Sequence, residues 1–131
     1  TVYQAVILAS MIERESIVHD EMPYIASVFL NRLNAGWKIE SDPTVQYALG
    51  FEGNWWPNPL STLDLEIDSP YNTYLIDGLP LAPIANPGLD ALRAVANPAV
   101  TPYFFFRGRC DMSGLHNFSV TLEEHINNGC E

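Results

Sequence analysis

VYQAVILASMIERES, residues 2–16, is the stretch from which the rest of the chain is read. Its apolar residues fall on nearly every side of a 3.6-residue helix, the pattern of a helix buried among other elements. Pro23 sits near the first turn of a second helix, with Asp20 and Glu21 ahead of it. That helix runs through IASVFLNRLN and stops at Gly36, a C-terminal cap. Ser41-Asp42-Pro43 starts a third, short helix ended by Gly50. Residues 51–88 are rich in Pro, Gly and Asn and read as a long irregular segment, a kind often functional. Asn86 and Pro87 then open a helix through LDALRAVAN, as N-cap and first helical residue. YFFF (103–106) and HNFSV (116–120) read as strands of one hairpin, and Thr121 to Glu124 match a capping box for a last helix ending near Gly129. The expected class is α+β: a helix-rich single domain with a small antiparallel β-sheet late in the chain.

Composition excludes several functions. Hydrophobic residues make up 47% and charged ones 17% of 131 residues, which is globular rather than disordered. The longest apolar run, AVILA (5–9), is too short to cross a bilayer. Six basic residues stand against sixteen acidic, so binding nucleic acid or an anionic membrane by charge neutralisation is disfavoured. A neutral or zwitterionic polymer fits this balance. There is no CxxC or HExxH and the three histidines are scattered, so neither metal nor cofactor is expected. Cys110 and Cys130 flank the second strand and last helix; a bridge there would suit an oxidising compartment, and two free thiols are equally allowed by count.

The acids of the first helix are the main candidates for chemistry. Glu15 shares a face with Leu8, Met11 and Ile12, and a carboxyl held against apolar groups has a raised pKa. Such a group keeps its proton at neutral pH, as a general acid must. Glu13 lies above Val6 and Ala9, where the helix is apolar too, so periodicity does not choose between them. Both also read as solvated helix-end acids. Tyr71-Asn72-Thr73-Tyr74 offers amide, hydroxyl and flat aromatic groups of the kind that hold sugars, or a turn held by its own hydrogen bonds. Asn31 inside the second helix calls for a partner, either a loop backbone or a catalytic group. Ser41, Asp42 and Thr44 read first as helix-start residues, Asn86 as an N-cap and His116 as a structural strand residue. Trp37, Trp55 and Trp56 read as half-buried anchors, with sugar platforms as the alternative. GxSxG is absent.

ASMIERES, IASVFLNRLNAGWKIESDPTVQYALG, DSPYNTYLIDGLPLAPIANPGLDALRAVANPA and HNFSVTLEEH, in that order, resemble the catalytic domain of the endolytic murein transglycosylase family, the YceG-like or MltG family. The resemblance covers nearly the whole chain. It implies that residues 1–131 are one YceG-like catalytic domain of a longer chain with an N-terminal membrane anchor, acting at the outer face of the bacterial cytoplasmic membrane. It implies cleavage of peptidoglycan strands between N-acetylmuramic acid and N-acetylglucosamine, leaving 1,6-anhydromuramic acid ends and terminating growing strands. Cell-wall synthesis enzymes become candidate partners. The catalytic role carries to Glu15, with Glu13 as fallback, since Glu followed by Ser matches other lytic transglycosylases. Ser41, Asp42, Thr44, Tyr71, Asn72, Thr73, Tyr74 and Asn86 carry over as substrate-side candidates, and Asn31 and His116 join them as substrate-binding candidates from the residue reading. The chain departs from the family pattern at GLPLAP, which lacks a second proline after GLP, in the RGRCDMSG hairpin, and in its cysteine pair. Two other classes stay open: a muramidase-type hydrolase, for which Asp42, Asp64 and Asp68 offer a second carboxylate, and a glycan-binding module without turnover.

Overall fold

The computed structural model describes residues 1–130. Among these, five α-helices and one two-stranded sheet are ordered as α1 (Val2–Glu15), α2 (Met22–Asn34), α3 (Asp42–Leu49), α4 (Leu89–Ala96), β1 (Phe105–Gly108), β2 (His116–Ser119) and α5 (Leu122–Asn127). This is the α+β arrangement expected, with its antiparallel sheet late in the chain.

Helix α1 is the centre. Six consecutive residues, Ile7 to Ile12, are buried, as its all-round apolar pattern requires. It packs against α2, α3 and α4. Leu8, Met11 and Ile12 join Met22, Ile25 and Phe29 of α2, Ala91 and Ala94 of α4, and Ile39 and Ile84 from the loops in one core. Each large side chain contributes about 1.5–3 kcal/mol by leaving water. Small Ala91 and Ala94 let α4 approach closely. Ser10 is buried in this apolar zone without penalty, because its hydroxyl donates to the Ile7 carbonyl and accepts from the Ile84 amide.

Helix α2 ends as its glycine foretold. Gly36 has φ +75°, and the Trp37 and Gly36 amides return to the carbonyls of Arg32 and Leu33, which satisfies the last turn. Two starts differ from the sequence reading. α4 begins at Leu89 with Gly88 as N-cap, and Asn86 stays exposed outside it. The cap is supplied from a distance: the Glu13 carboxylate accepts the Gly88 amide at 2.6 Å, and α1 already packs on α4. β1 begins at Phe105 rather than Tyr103. The reason lies in α2, whose Asn31 amide takes the carbonyls of Thr101 and Tyr103, and whose Arg32 takes that of Phe104. The chain thus lies on α2 before it pairs with β2, where Phe105 stands opposite Ser119 and Gly108 opposite His116. Thr121 caps α5 by accepting the Glu124 amide, while its hydroxyl, not its backbone N–H, meets the Glu124 carboxylate. Cys110 and Cys130 are joined by a disulfide that ties the hairpin to the end of α5.

Candidate active site

A cleft of about 620 Å³ opens where the C-terminal end of α1 meets the start of α3, with α2 behind and the β-hairpin and α5 as the far wall. Glu15, the last residue of α1, lines it together with Asp42, Tyr74, Glu40, Arg14 and His116. Glu15 arrives there because the helix that carries it is the core helix, packed on α2, α3 and α4. Its carboxyl is shielded from water by the fold while the residue keeps a partial opening to the cleft. Burial pushes the pKa from an ordinary 4.5 up to about 8, and the negative charge of Asp42 adds to the rise. Among the described residues no ion pair or side-chain hydrogen bond reaches Glu15. The neighbouring cation is engaged elsewhere, since the Arg14 guanidinium lies 3.8 Å from the centre of the Trp56 ring.

Asp42 is held by Tyr74, whose hydroxyl donates to it at 2.5 Å. Burial and this bond to the carboxylate push the Tyr74 phenol pKa far up, so it stays a donor. The two meet because residues 72–74 are strapped across the start of α3. The Glu40 amide donates to the Thr73 carbonyl and the Ser41 amide to the Thr73 hydroxyl. Glu40 takes a left-handed φ of +55° to present both amides there, a costly conformation for a non-glycine residue and one placed on the cleft wall. Thr44 and Thr73 share a hydroxyl hydrogen bond at 2.8 Å, and Thr44 also donates to the Ser41 carbonyl. The Ser41 hydroxyl is buried without a partner among the described residues.

The candidates therefore separate. Glu15, Asp42, Tyr74 and His116 reach one cleft. His116 is half-committed to the fold, since its ring and backbone amide both meet the Glu21 carboxylate at 3.0 Å. Ser41, Thr44 and Thr73 are buried in the knot just described. Asn72 is buried too, donating to the carbonyls of Leu65 and Ile67 and accepting the Tyr74 amide. Asn31 serves the loop backbone, which is the structural alternative weighed from sequence. Tyr71 faces a second groove on the other side of α3, and Asn86 is exposed without a contact to the cleft. Glu13 caps α4. Trp37 is an anchor, its ring tilted against Phe104 with the centroids 4.7 Å apart.

Sequence reasoning missed Arg14, Gln46, Asn58 and His125 on the cleft wall. His125 stacks on Phe105 and its pKa is lowered, by burial first and then by Arg107 and Arg32. Nothing in the sequence singled it out, because a histidine in the last turn of a short helix has an ordinary role there. Among the described residues no group of three His, Cys, Asp or Glu side chains is arranged to hold a metal.

Fold and site together define an α+β domain with an acid-bearing cleft at the end of its central helix. The chain belongs to the YceG-like family, whose model matches residues 1–130. It is 40% identical over 125 residues to the endolytic murein transglycosylase of Bacillus subtilis strain 168, covering 95% of this chain and 33% of the relative. It is 35% identical over 132 residues to the endolytic murein transglycosylase of Streptococcus pneumoniae strain D39, covering 100% of this chain and 24% of the relative. A crystal structure of a YceG-like protein from Listeria monocytogenes superposes with a TM-score of 0.85 at 41% identity, over 96% of this chain and 39% of that one. The chain thus spans a third or less of the curated relatives it matches.

Proposed function

We propose that this chain carries the catalytic part of an endolytic murein transglycosylase, with Glu15 as its acid. The observation that carries the reading is a carboxyl without an ion-pair partner among the described residues, its pKa raised by burial, at the end of a buried helix and open to a polar cleft. The names of the relatives supply the substrate class.

Glu15 gives its proton to the glycosidic oxygen as the bond from the muramic C1 breaks, and positive charge develops on that ring. The resulting carboxylate stabilises the cation and then takes the proton from the C6 hydroxyl of the same ring. The C6 oxygen bonds to C1, closing the 1,6-anhydro ring, and Glu15 is again protonated. No water is consumed. Asp42 raises the proton affinity of Glu15 and, held by Tyr74, presents a fixed negative charge near the developing cation. Cuts within nascent strands would set their length, with the enzyme outside the cytoplasmic membrane and cell-wall synthesis enzymes as its partners.

One observation favours a second reading. Asp42 lines the same cleft as Glu15, so a muramidase using it as the second carboxylate is the competitor. Asp64 is spent on its own loop, accepting the Ser61 amide at 2.8 Å. Mass spectrometry of peptidoglycan digested by the chain separates the two. Ends one water lighter than hydrolytic ends, absent with Glu15→Gln, support the transglycosylase. Reducing ends lost with Asp42→Asn support the hydrolase, and binding without cleavage leaves a glycan-binding module.

A further inference from the structure

We infer that the aromatic groove on the far side of α3 binds uncharged sugar rings, as a distal subsite for the strand that enters the cleft. The identity of the strand rests on the glycan-cleaving reading above; the groove and its ligand chemistry do not.

The groove has a volume of about 690 Å³ and is formed by Tyr47, Trp55, Trp56 and Tyr71 with Ser69 and Gly50. None of its lining residues is charged, in a chain of net charge −10. That lining suits a neutral ring polymer better than a charged peptide or an anionic polymer, the nearest cation being the Arg14 guanidinium stacked over Trp56 at its edge. Trp55 is 62% exposed, a large flat face turned to solvent. Tyr47 packs against Tyr71 at 4.8 Å and against Trp56 at 6.3 Å, so the rings brace one another. A pyranose presents a C–H face that needs a flat apolar partner, and hydroxyl and acetamido groups that need donors and acceptors. The rings supply the first, and the second comes from the capacity left on the hydroxyls of Tyr47 and Tyr71, which meet each other, and of Ser69, which accepts the Tyr71 amide.

The platform is built before any ligand arrives. Phe51 and Asn54 pair their backbones in both directions, closing the turn that carries Trp55. Gly50 allows that turn to lie on the end of α3, because any side chain there would run into the Trp55 carbonyl. Preformed sites lose less ordering entropy on binding.

The groove adjoins the cleft across one contact. Arg14 lines the cleft and lies over Trp56, which lines the groove. Gln46 lines the cleft, its neighbour Tyr47 lines the groove, and the Gln46 amide donates to the Pro57 carbonyl next to Trp56 in sequence at 3.0 Å. A strand cut internally runs on past the scissile bond, and one leaving Glu15 over Arg14 meets Trp56 and then Trp55.

Calorimetric titration of the chain with a hexamer of N-acetylglucosamine tests this, using Trp55→Ala and Trp55→Phe as variants. Trp55→Ala should weaken the hexamer roughly tenfold, while Trp55→Phe keeps most of the affinity, and both variants keep the native melting temperature. Equal affinity of the native chain and Trp55→Ala, or no binding by the native chain, overturns the subsite. Self-association of the native chain that Trp55→Ala abolishes also overturns it, in favour of a second copy as occupant. Trp55-dependent binding without cleavage of peptidoglycan leaves the groove standing and removes the proposed activity. Cleavage with hexamer binding indifferent to Trp55 does the reverse.

Discussion

Glu15 combines a position any helical wheel reveals with a proton affinity that none does. Its apolar face follows from the spacing to Leu8, Met11 and Ile12. The rise to about 8 also needs Asp42, which lies 27 positions on and is brought near by folding. The sign of the stability effect follows. An unfolded glutamate ionises near 4.5 and the folded one near 8, so between these values the unfolded state binds fewer protons. Glu15 therefore favours folding at acid pH, and its contribution is lost as pH rises through about 8. Melting temperatures measured from pH 4 to 9 should show a decline that Glu15→Gln lacks. Cleavage should follow the same proton, with activity falling above about pH 8. Asp42→Asn removes a charge that raises the Glu15 pKa, so it should move that descending limb to lower pH. Glu15→Gln itself should reduce cleavage by about a thousandfold or more. Glu13 reads almost identically in the sequence, and what separates the two is the Gly88 amide. Glu13→Gln weakens a helix cap worth about 1 kcal/mol, so calorimetry should find melting lowered by a few degrees with cleavage retained.

At the scale of elements, the segment from Tyr71 to Tyr74 is best understood as a strap. Its polar composition matched both a sugar-binding patch and a self-bonded turn, because the same donors and acceptors serve either. The structure turns Asn72 and Thr73 inward and leaves Tyr74 on the cleft, where it holds Asp42. Asn72→Ala would strip partners from two carbonyls and one amide, all in a short loop. A cost of about 2–3 kcal/mol is expected in chemical denaturation. Cleavage should fall as well, since the loop carries Tyr74. The same logic accounts for β1, whose start depends on which partner takes the carbonyls of residues 101–104. Side chains of α2 do so, and no local propensity records it.

For the whole molecule, the cleft is a gap between a helical half and a hairpin with α5. The disulfide between Cys110 and Cys130 closes 20 residues that include β2 and α5, and α5 contributes Leu122 and His125 to the cleft wall. Closing a loop of that length contributes about 3 kcal/mol. Replacing both cysteines by serine should lower the denaturation midpoint accordingly. Hydrogen exchange should show the loosening concentrated in α5 rather than in α1, whose protection comes from the core.

Periodicity and punctuation determined the helices, the hairpin and the apolar face that carries Glu15, because these depend on residues within a few positions of one another. Pro23, Gly36 and Gly50 act on their own neighbours and mark the same boundaries in sequence and structure. Tertiary structure decided which polar candidates reach the cleft. Glu13, Asn31, Thr44, Asn72 and Thr73 find partners 29 or more positions away, or in adjoining loops, while of the sequence candidates Asp42, Tyr74 and His116 line the cleft beside Glu15. A buried polar group must be paired, and folding settles with what.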